Sequence, residues 1–211
     1  MTSFPKGVSR PRLVGRTPAN LQDLHNTDPC VFGDCFRYCN CRQGSYAELQ
    51  ELGPGSIILF GSPRSGQFVL DTVFVVARAV RYQRGRSQDL VVPAWYRMLA
   101  LDPGCCDPKN PEESYCYYEG ATFEKPVAGM FSFFPCLPGE RSLCARGFER
   151  PTVGGVALYE RLGGKNSGGA FCTVISGLSE AAALWQTVAV QVLNQQLCLG
   201  ITAEVPAVLP E

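Results

Sequence analysis

The hydrophobic pattern is clearest between Gly55 and Val80, GSIILFGSPRSGQFVLDTVFVVARAV. Ser56–Phe60 and Phe68–Ala79 are two apolar runs, the second rich in β-branched residues, and both predict buried strands. The link Gly61–Gly66 is short enough for a hairpin. Asp71 interrupts the second run, although a strand that only fills a core needs no carboxylate.

Weaker patterns predict the remaining elements. Ser45 and Glu48 have capping-box spacing and predict a short helix that ends at Pro54-Gly55. Ser179 is expected to cap a longer helix from Glu180 to about Gln196, whose apolar residues recur at helical spacing. Further strands are predicted at Gly129–Pro135, Ala157–Leu162, Ala170–Ile175 and Cys198–Val205.

Many short strands and one or two peripheral helices predict a mainly β fold with some helix, an α+β class built as a small, partly open β-barrel. Strands do not alternate regularly with helices, which disfavours a doubly wound parallel sheet. Residues 1–29 are predicted to be an extended lead-in with at most one edge strand. Residues 30–211 then form a single domain that includes the C-terminal helix.

The charge balance excludes a strong overall field. The chain has 211 residues, of which 45% are hydrophobic and 18% charged, with a formal net charge of zero. A sizeable core is expected, but no global attraction to nucleic acid. A local basic cluster remains at Arg78, Arg81, Arg84 and Arg86, from which we expect Arg81 and Arg84 to contact phosphates. A GC-rich genome would produce the same arginine bias.

The cysteines bear on location and on metals. We expect a cytoplasmic protein, because no segment is apolar enough to span a membrane and the N-terminus lacks a secretory apolar region. The eleven cysteines are then mostly reduced thiols. Cys30, Cys35, Cys39 and Cys41 are clustered, but their spacing matches neither a paired zinc site nor a ferredoxin run. We therefore expect no metal and no cofactor, and keep a structural zinc module as an alternative.

The single histidine limits the possible chemistry. Any Cys–His nucleophile pair must use His25, which lies in a polar segment where a simple hydrogen-bonding role is the simpler explanation. The sequence contains no Gly-x-Gly-x-x-Gly motif after a strand and no Walker motif, so the usual nucleotide-cofactor signatures are absent.

Aromatic residues interleaved with polar ones suggest a pocket for a base. Rings would stack on the base while carboxylates and amides bind its polar edge. Phe32, Phe36 and Tyr38 are expected in one aromatic loop, and Tyr115, Tyr117 and Tyr118 in another. In the predicted strand Gly129–Pro135, Phe131 and Phe133 are expected on one face and Ser132 and Phe134 on the other. The alternative is that the rings fill the core. The predicted ligand-binding residues are Phe32, Asp34, Phe36, Tyr38, Asn40, Ser62, Asp71 and Phe133.

Asp71 has two possible explanations. It accepts hydrogen bonds from a base, or it caps backbone amides or pairs with an arginine such as Arg37 or Arg150. Thr72 points to the opposite face of a regular strand, so both side chains can line one site only if the strand contains a bulge.

The segments HNTDPCVFGDCFRYCNC, LGPGSIILFGS, FVLDTVFVV, YYEGAT and GMFSFFPC occur in an order that resembles the nucleotide-modification-associated domains of bacteria and phages. More loosely, the order is similar to that of the PUA, ASCH, EVE and YTH barrels. The resemblance covers roughly residues 20–150. It departs from the usual Gly-Asp at the strand entry, which here is Gly55-Ser56.

The resemblance implies a PUA-like barrel that recognises a nucleobase or modified nucleotide, with nucleotide or modified nucleic acid and DNA-modification enzymes as partners and no membrane. Some ASCH members are hydrolases, so the alternative is an enzyme acting on a modified base with Asp71 or Asp34 as general base.

Overall fold

The computed structural model describes residues 7–9, 28–64, 67–102, 111–138, 149–154 and 174–203. The fold is α+β, with mostly antiparallel strands and few helices. The strands are β1 (Val8–Ser9), β2 (Arg37–Tyr38), β3 (Ile57–Arg64), β4 (Gln67–Gln83), β5 (Ser114–Gly120), β6 (Phe134–Cys136), β7 (Thr152–Val153) and β8 (Cys198–Gly200). The helices are α1 (Ala94–Tyr96), which continues as a π-helix Arg97–Leu101, and α2 (Leu178–Asn194), with 3₁₀ segments at Ala47–Gln50 and Arg84–Asp89.

The 17-residue strand β4 is the centre of the fold. Its first half pairs antiparallel with β3, and its second half pairs antiparallel with β5 on the opposite edge. The first sheet has the order β2-β5-β4-β3, with β7 also paired to β4. The second sheet has the order β1-β8-β6, in which β1 pairs parallel with β8 as the edge strand expected in the lead-in.

Isolated bridges join the two sheets. Val73 in β4 pairs with Phe133 just before β6, and Phe32 pairs with Ala203 just after β8. Cys30 pairs with Arg37 at the start of β2. In the described ranges the strands therefore form two linked sheets rather than a closed barrel.

Helix α2 covers the largest hydrophobic cluster. Its buried residues Ala181, Val188, Ala189 and Val192 pack against core residues of β4 and of the strand region before β6. The Trp185 indole N–H donates to the Phe131 carbonyl at 2.8 Å, so the polar end of this ring is satisfied. None of the helices in the described part of the chain is long and apolar enough to cross a bilayer.

Both predicted helix starts need correction. The Ala47–Gln50 segment is a 3₁₀ turn whose N-cap is Tyr46, with no side-chain cap hydrogen bond, so the Ser45 capping box is not formed. Helix α2 begins after Gly177 rather than at a Ser179 cap. There Ser176 donates from its N–H and its hydroxyl to the Glu180 carboxylate, which ties the residues before the helix to its first turn.

The strand predictions were partly right. Strands β3 and β4 both extend beyond the predicted runs, because cross-strand pairing continues through polar residues at their ends. Tyr115, Tyr117 and Tyr118 lie in strand β5, not in a loop. The predicted strand Ala157–Leu162 and most of Ala170–Ile175 lie outside the described residues, and so does His25.

Candidate ligand-binding site

The end of β4 borders an open cavity of about 300 Å³. Its lining combines two arginines, an amide, a carboxylate and a hydroxyl with three apolar or aromatic side chains. The residues are Val80, Arg81, Tyr82, Gln83, Arg86, Asp89, Leu90 and Ser114. The volume is at the lower end of the range for small-molecule sites, and a few polar groups on an apolar wall are typical of such sites.

The two arginines predicted to contact phosphates have different surroundings. Arg81 lines the cavity, has a side chain that is 58% exposed, and pairs with the exposed Glu51 at 2.5 Å. Arg84 lies outside the lining, with its side chain mostly buried, 3.3 Å from the Glu113 carboxylate and over the Tyr115 ring. The structure brings Arg86 rather than Arg84 into the cavity beside Arg81.

The predicted aromatic residues lie in the core. Phe36 and Tyr38 share a cluster with Phe74 and are each 1% exposed. Tyr38 stacks on Tyr118 with centroids 5.7 Å apart, and its hydroxyl donates to the Cys41 carbonyl. Burial raises the Tyr38 pKa well above its usual value. Both rings contribute packing and leave no face for a ligand.

Phe133 and Phe32 belong to two other clusters. Phe133 is fully buried in the cluster covered by α2, and its ring meets Trp185 edge-on at 5.9 Å. Phe32 is partly buried and packs against the cluster that contains Trp95 and Tyr96. As the alternation predicted, Phe131 and Phe133 share one cluster, while Phe134 stacks on Phe36 on the other face. The structure does not bring these predicted rings to one site.

Asp34 lies on the surface as the partner of a buried arginine. Its side chain is 79% exposed and accepts from Arg37 at 2.5 Å, whereas the Arg37 side chain is only 4% exposed. The Arg37 guanidinium lies over the rings of Trp95 and Tyr96, 5.5 and 5.7 Å from their centroids. Partial burial opposes ionisation of Asp34, but the arginine outweighs it and lowers the pKa of that carboxyl.

Asn40 lies in a turn that is organised by Asp28, a residue that the sequence did not single out. The Asp28 carboxylate accepts from the backbone N–H groups of Asn40 at 2.8 Å, Cys41 at 2.9 Å and Cys39 at 3.2 Å. Burial raises the Asp28 pKa, a larger effect than the lowering by these donors. The only sequence signal was the Asp-Pro pair, since the partners lie 11 to 13 residues away.

Asp71 is the extra residue of a β-bulge. Phe60 pairs with Thr72 and Gly61 pairs with Leu70, so no residue of β3 lies opposite Asp71. Its half-exposed carboxylate accepts from Arg150. A Cβ at Gly61 would overlap the Val69 carbonyl oxygen, which explains the glycine opposite the bulge.

Ser62 lies on the same hairpin, paired with Val69 in the part of β3 beyond the bulge. Asp71 lies in the part of β4 that pairs with β3, close to the hairpin in which Ser62 also lies. The cavity borders the other end of β4, at residues 80–83. These two predicted contacts are therefore separated from the cavity along the strand.

The clustered cysteines carry thiols rather than disulfides. Cys30 and Cys39 are buried, and burial raises the Cys35 pKa to about 11, so that this thiol stays protonated at neutral pH. Across the described ranges, no group of three or more His, Cys, Asp or Glu side chains is arranged to hold a metal ion.

Comparison of the chain with protein-family models, with curated proteins and with solved structures gave no match.

Proposed function

We propose that the protein binds a nucleobase or modified nucleotide in the cavity at the end of β4. The observation that carries this proposal is the lining itself. Arg81 and Arg86 supply two cations for a phosphate, Gln83 and Asp89 can bind a polar edge, and Tyr82 contributes an apolar wall. This position replaces the predicted loop of Phe32, Phe36 and Tyr38, whose rings are partly or fully buried.

The proposal includes a PUA-like arrangement of the sheets. It is supported by the mostly antiparallel pairing around β4, by the bridges that join the two sheets, and by the position of α2 on the outside of the main cluster. We further propose a cytoplasmic, bacterial setting in which DNA-modification enzymes are partners, as the resemblance of the segment order implies. The thiol state of the described cysteines supports the cytoplasmic location.

The two alternatives draw less support from the geometry. Asp34 and Asp71, the candidate general bases, each pair with an arginine, and the pKa of Asp34 is lowered, which weakens it as a base. A zinc module would need three or four converging ligands, and the part of the chain that the structure describes contains no such group.

The test is titration of the protein with AMP, GMP, CMP and UMP by calorimetry. Arg81→Ala with Arg86→Ala should weaken binding of the preferred nucleotide about tenfold or more, because hydrogen bonds to charged groups contribute about 1.5–3 kcal/mol each. The effect should shrink between about 50 mM and about 200 mM salt.

Arg78→Ala is the matched control. Arg78 is an exposed arginine of the same strand, pairs with Glu119 at 3.5 Å, and lies outside the cavity lining. It should leave affinity unchanged. No binding of any of the four nucleotides at millimolar concentration, or an equal loss from Arg78→Ala, would remove the cavity as the site.

A further inference from the structure

A side-chain amide completes the ladder on the far edge of β5. The Gln43 Nε2 donates to the Cys116 carbonyl and its Oε1 accepts from the Cys116 N–H, both at 2.7 Å. Gln43 is 1% exposed, so this pairing is internal. A planar group with one donor beside one acceptor thus replaces a neighbouring strand at this position.

Arg81 is the residue of β4 directly opposite Cys116. Two residues directly opposite each other in an antiparallel pair either exchange hydrogen bonds or point their N–H and C=O groups away from each other. The second arrangement is a non-hydrogen-bonded pair. Cys116 points both groups at Gln43, so Arg81 points its own N–H and C=O toward the other edge of β4. Gly120 lies four residues from Cys116 on β5, so its backbone groups should point to the same side. Its N–H does so and donates to the Phe36 carbonyl.

Among the residues that the structure describes, that other edge of β4 is open at Arg81. Strand β3 covers it only as far as Val75, which pairs with Ile57. The last bonds on this side join Val76 to Gly55 and Ser56. Within the described residues no backbone hydrogen bond reaches Arg81 from this side.

The cavity lies against this open edge. It is lined by Val80, Arg81, Tyr82 and Gln83, four consecutive residues of β4. Successive side chains of a strand point to opposite faces, so contact with all four favours a position beside the uncovered edge of β4; the lining also includes Ser114 of β5, which lies opposite Gln83. Because β5 occupies the opposite edge of β4, this is the edge on which Arg81 presents its backbone groups.

We infer that the backbone N–H and C=O of Arg81 bind the polar edge of the base, in the way that Cys116 binds the Gln43 amide. This inference rests on the proposed function and names the groups that would contact the base. Each nucleobase carries a hydrogen-bond donor next to an acceptor on its Watson–Crick edge, the same arrangement as a carboxamide. A base bound this way must have that edge unsubstituted, whereas its other edges can be modified.

The first experiment removes one donor from the strand. Arg81→Pro deletes the N–H, and proline is tolerated where the N–H of an edge strand faces solvent. Arg81→Ala is the matched control, because it removes the same guanidinium and keeps the N–H. Arg81→Pro should bind the preferred nucleoside monophosphate about tenfold more weakly than Arg81→Ala, the effect of one hydrogen bond. Equal affinities in two variants with the same melting temperature would overturn the inference.

The second experiment needs no variant and therefore stands even if Arg81→Pro does not fold. UMP and its N3-methyl derivative are titrated into the parent protein, since the methyl group replaces the donor of the uracil edge. If UMP is not the preferred nucleotide, GMP and its N1-methyl derivative are used instead, because this methyl group also replaces a donor without adding a charge. Loss of about tenfold or more in affinity on methylation supports the inference, and unchanged affinity refutes it.

The two proposals fail in different ways. If no nucleoside monophosphate binds, the proposed function is wrong. If nucleotides bind and depend on Arg81 and Arg86, but tolerate both the proline and the methyl group, the cavity is the site and only the backbone contact is wrong. Nicotinamide mononucleotide carries a carboxamide with the same arrangement of donor and acceptor. If it binds more strongly than all four base nucleotides, the backbone groups of Arg81 bind a carboxamide and not a base.

Discussion

Gln43 and Cys116 are 73 residues apart in sequence, yet the side chain of one forms two 2.7 Å hydrogen bonds with the backbone of the other. Strand β2 pairs with β5 only at Arg37–Tyr38, opposite Glu119 and Tyr118. The Gln43 amide therefore extends the ladder to Cys116, two residues beyond Tyr118, which is the next hydrogen-bonding position along that edge of β5. A buried backbone N–H and C=O that would otherwise lack partners are satisfied in this way.

Replacing Gln43 should destabilise the fold. Gln43→Leu keeps most of the volume but leaves the Cys116 N–H and C=O buried without partners, so we expect the free energy of unfolding to fall by about 1–3 kcal/mol. Urea denaturation measures the change. Gln88→Leu, at an exposed glutamine, serves as the control for the change in composition. A loss for Gln43→Leu no larger than that for Gln88→Leu would contradict this role.

The Asp28 carboxyl should make stability depend on pH. Burial raises its folded pKa above the usual value of 3.8, despite the backbone donors. A carboxyl with a raised folded pKa takes up a proton on folding, so its contribution to stability is greatest below 3.8 and declines as the pH rises through the folded pKa. Relative to Asp28→Asn, the parent protein should therefore gain stability as the pH is lowered from about 7 towards 3.8.

Asp34→Asn is the control for that experiment. The pKa of Asp34 is lowered by Arg37, so its contribution is present above 3.8 and is lost only as the pH falls through its lower folded pKa. The stability difference between the parent protein and Asp34→Asn should stay flat over the same range, as measured by denaturant titration at each pH. A parent protein that loses stability relative to Asp28→Asn on acidification would contradict the assignment.

The Asp71–Arg150 pair should contribute little to stability or to ligand binding. Both side chains are partly exposed, 39% and 49%, and such pairs contribute about 0–1 kcal/mol. Asp71→Asn should therefore change the free energy of unfolding by less than about 1 kcal/mol and leave nucleotide affinity unchanged. Thermal melting and calorimetry on the same samples measure both. A tenfold loss of affinity at unchanged stability would restore Asp71 as a ligand contact.

Local pattern was enough to predict the elements with strong periodicity. The apolar runs of β3 and β4 and the helical spacing around Val188 fix which faces must be buried, because side-chain alternation follows directly from backbone geometry. The alternation at Phe131 and Phe133 was also correct. The sequence even supplied the ion pair between Asp71 and Arg150 as one of two explanations for an interrupted strand.

The same sequence did not determine which surfaces meet. Phe36 and Tyr38 look like exposed loop aromatics until the fold assembles: β5 pairs with β2 and stacks Tyr118 on Tyr38, while Phe134 stacks on Phe36, so both rings are buried. The three tyrosines of β5 themselves were predicted in a loop, since a short aromatic run has no clear period.

The candidate site depends on tertiary structure for the same reason. Sequence placed Arg81 just after a long strand, but it could not show that β4 continues through Arg81 or that β3 ends its pairing at Val75, so that among the described residues Arg81 lies on an open edge. Nor could it show that Asp28 and Gln43 bind backbone groups 11 to 73 residues away. Periodicity determines which groups of a segment need partners, whereas only the assembled fold determines which distant segment supplies them and which groups remain available to a ligand.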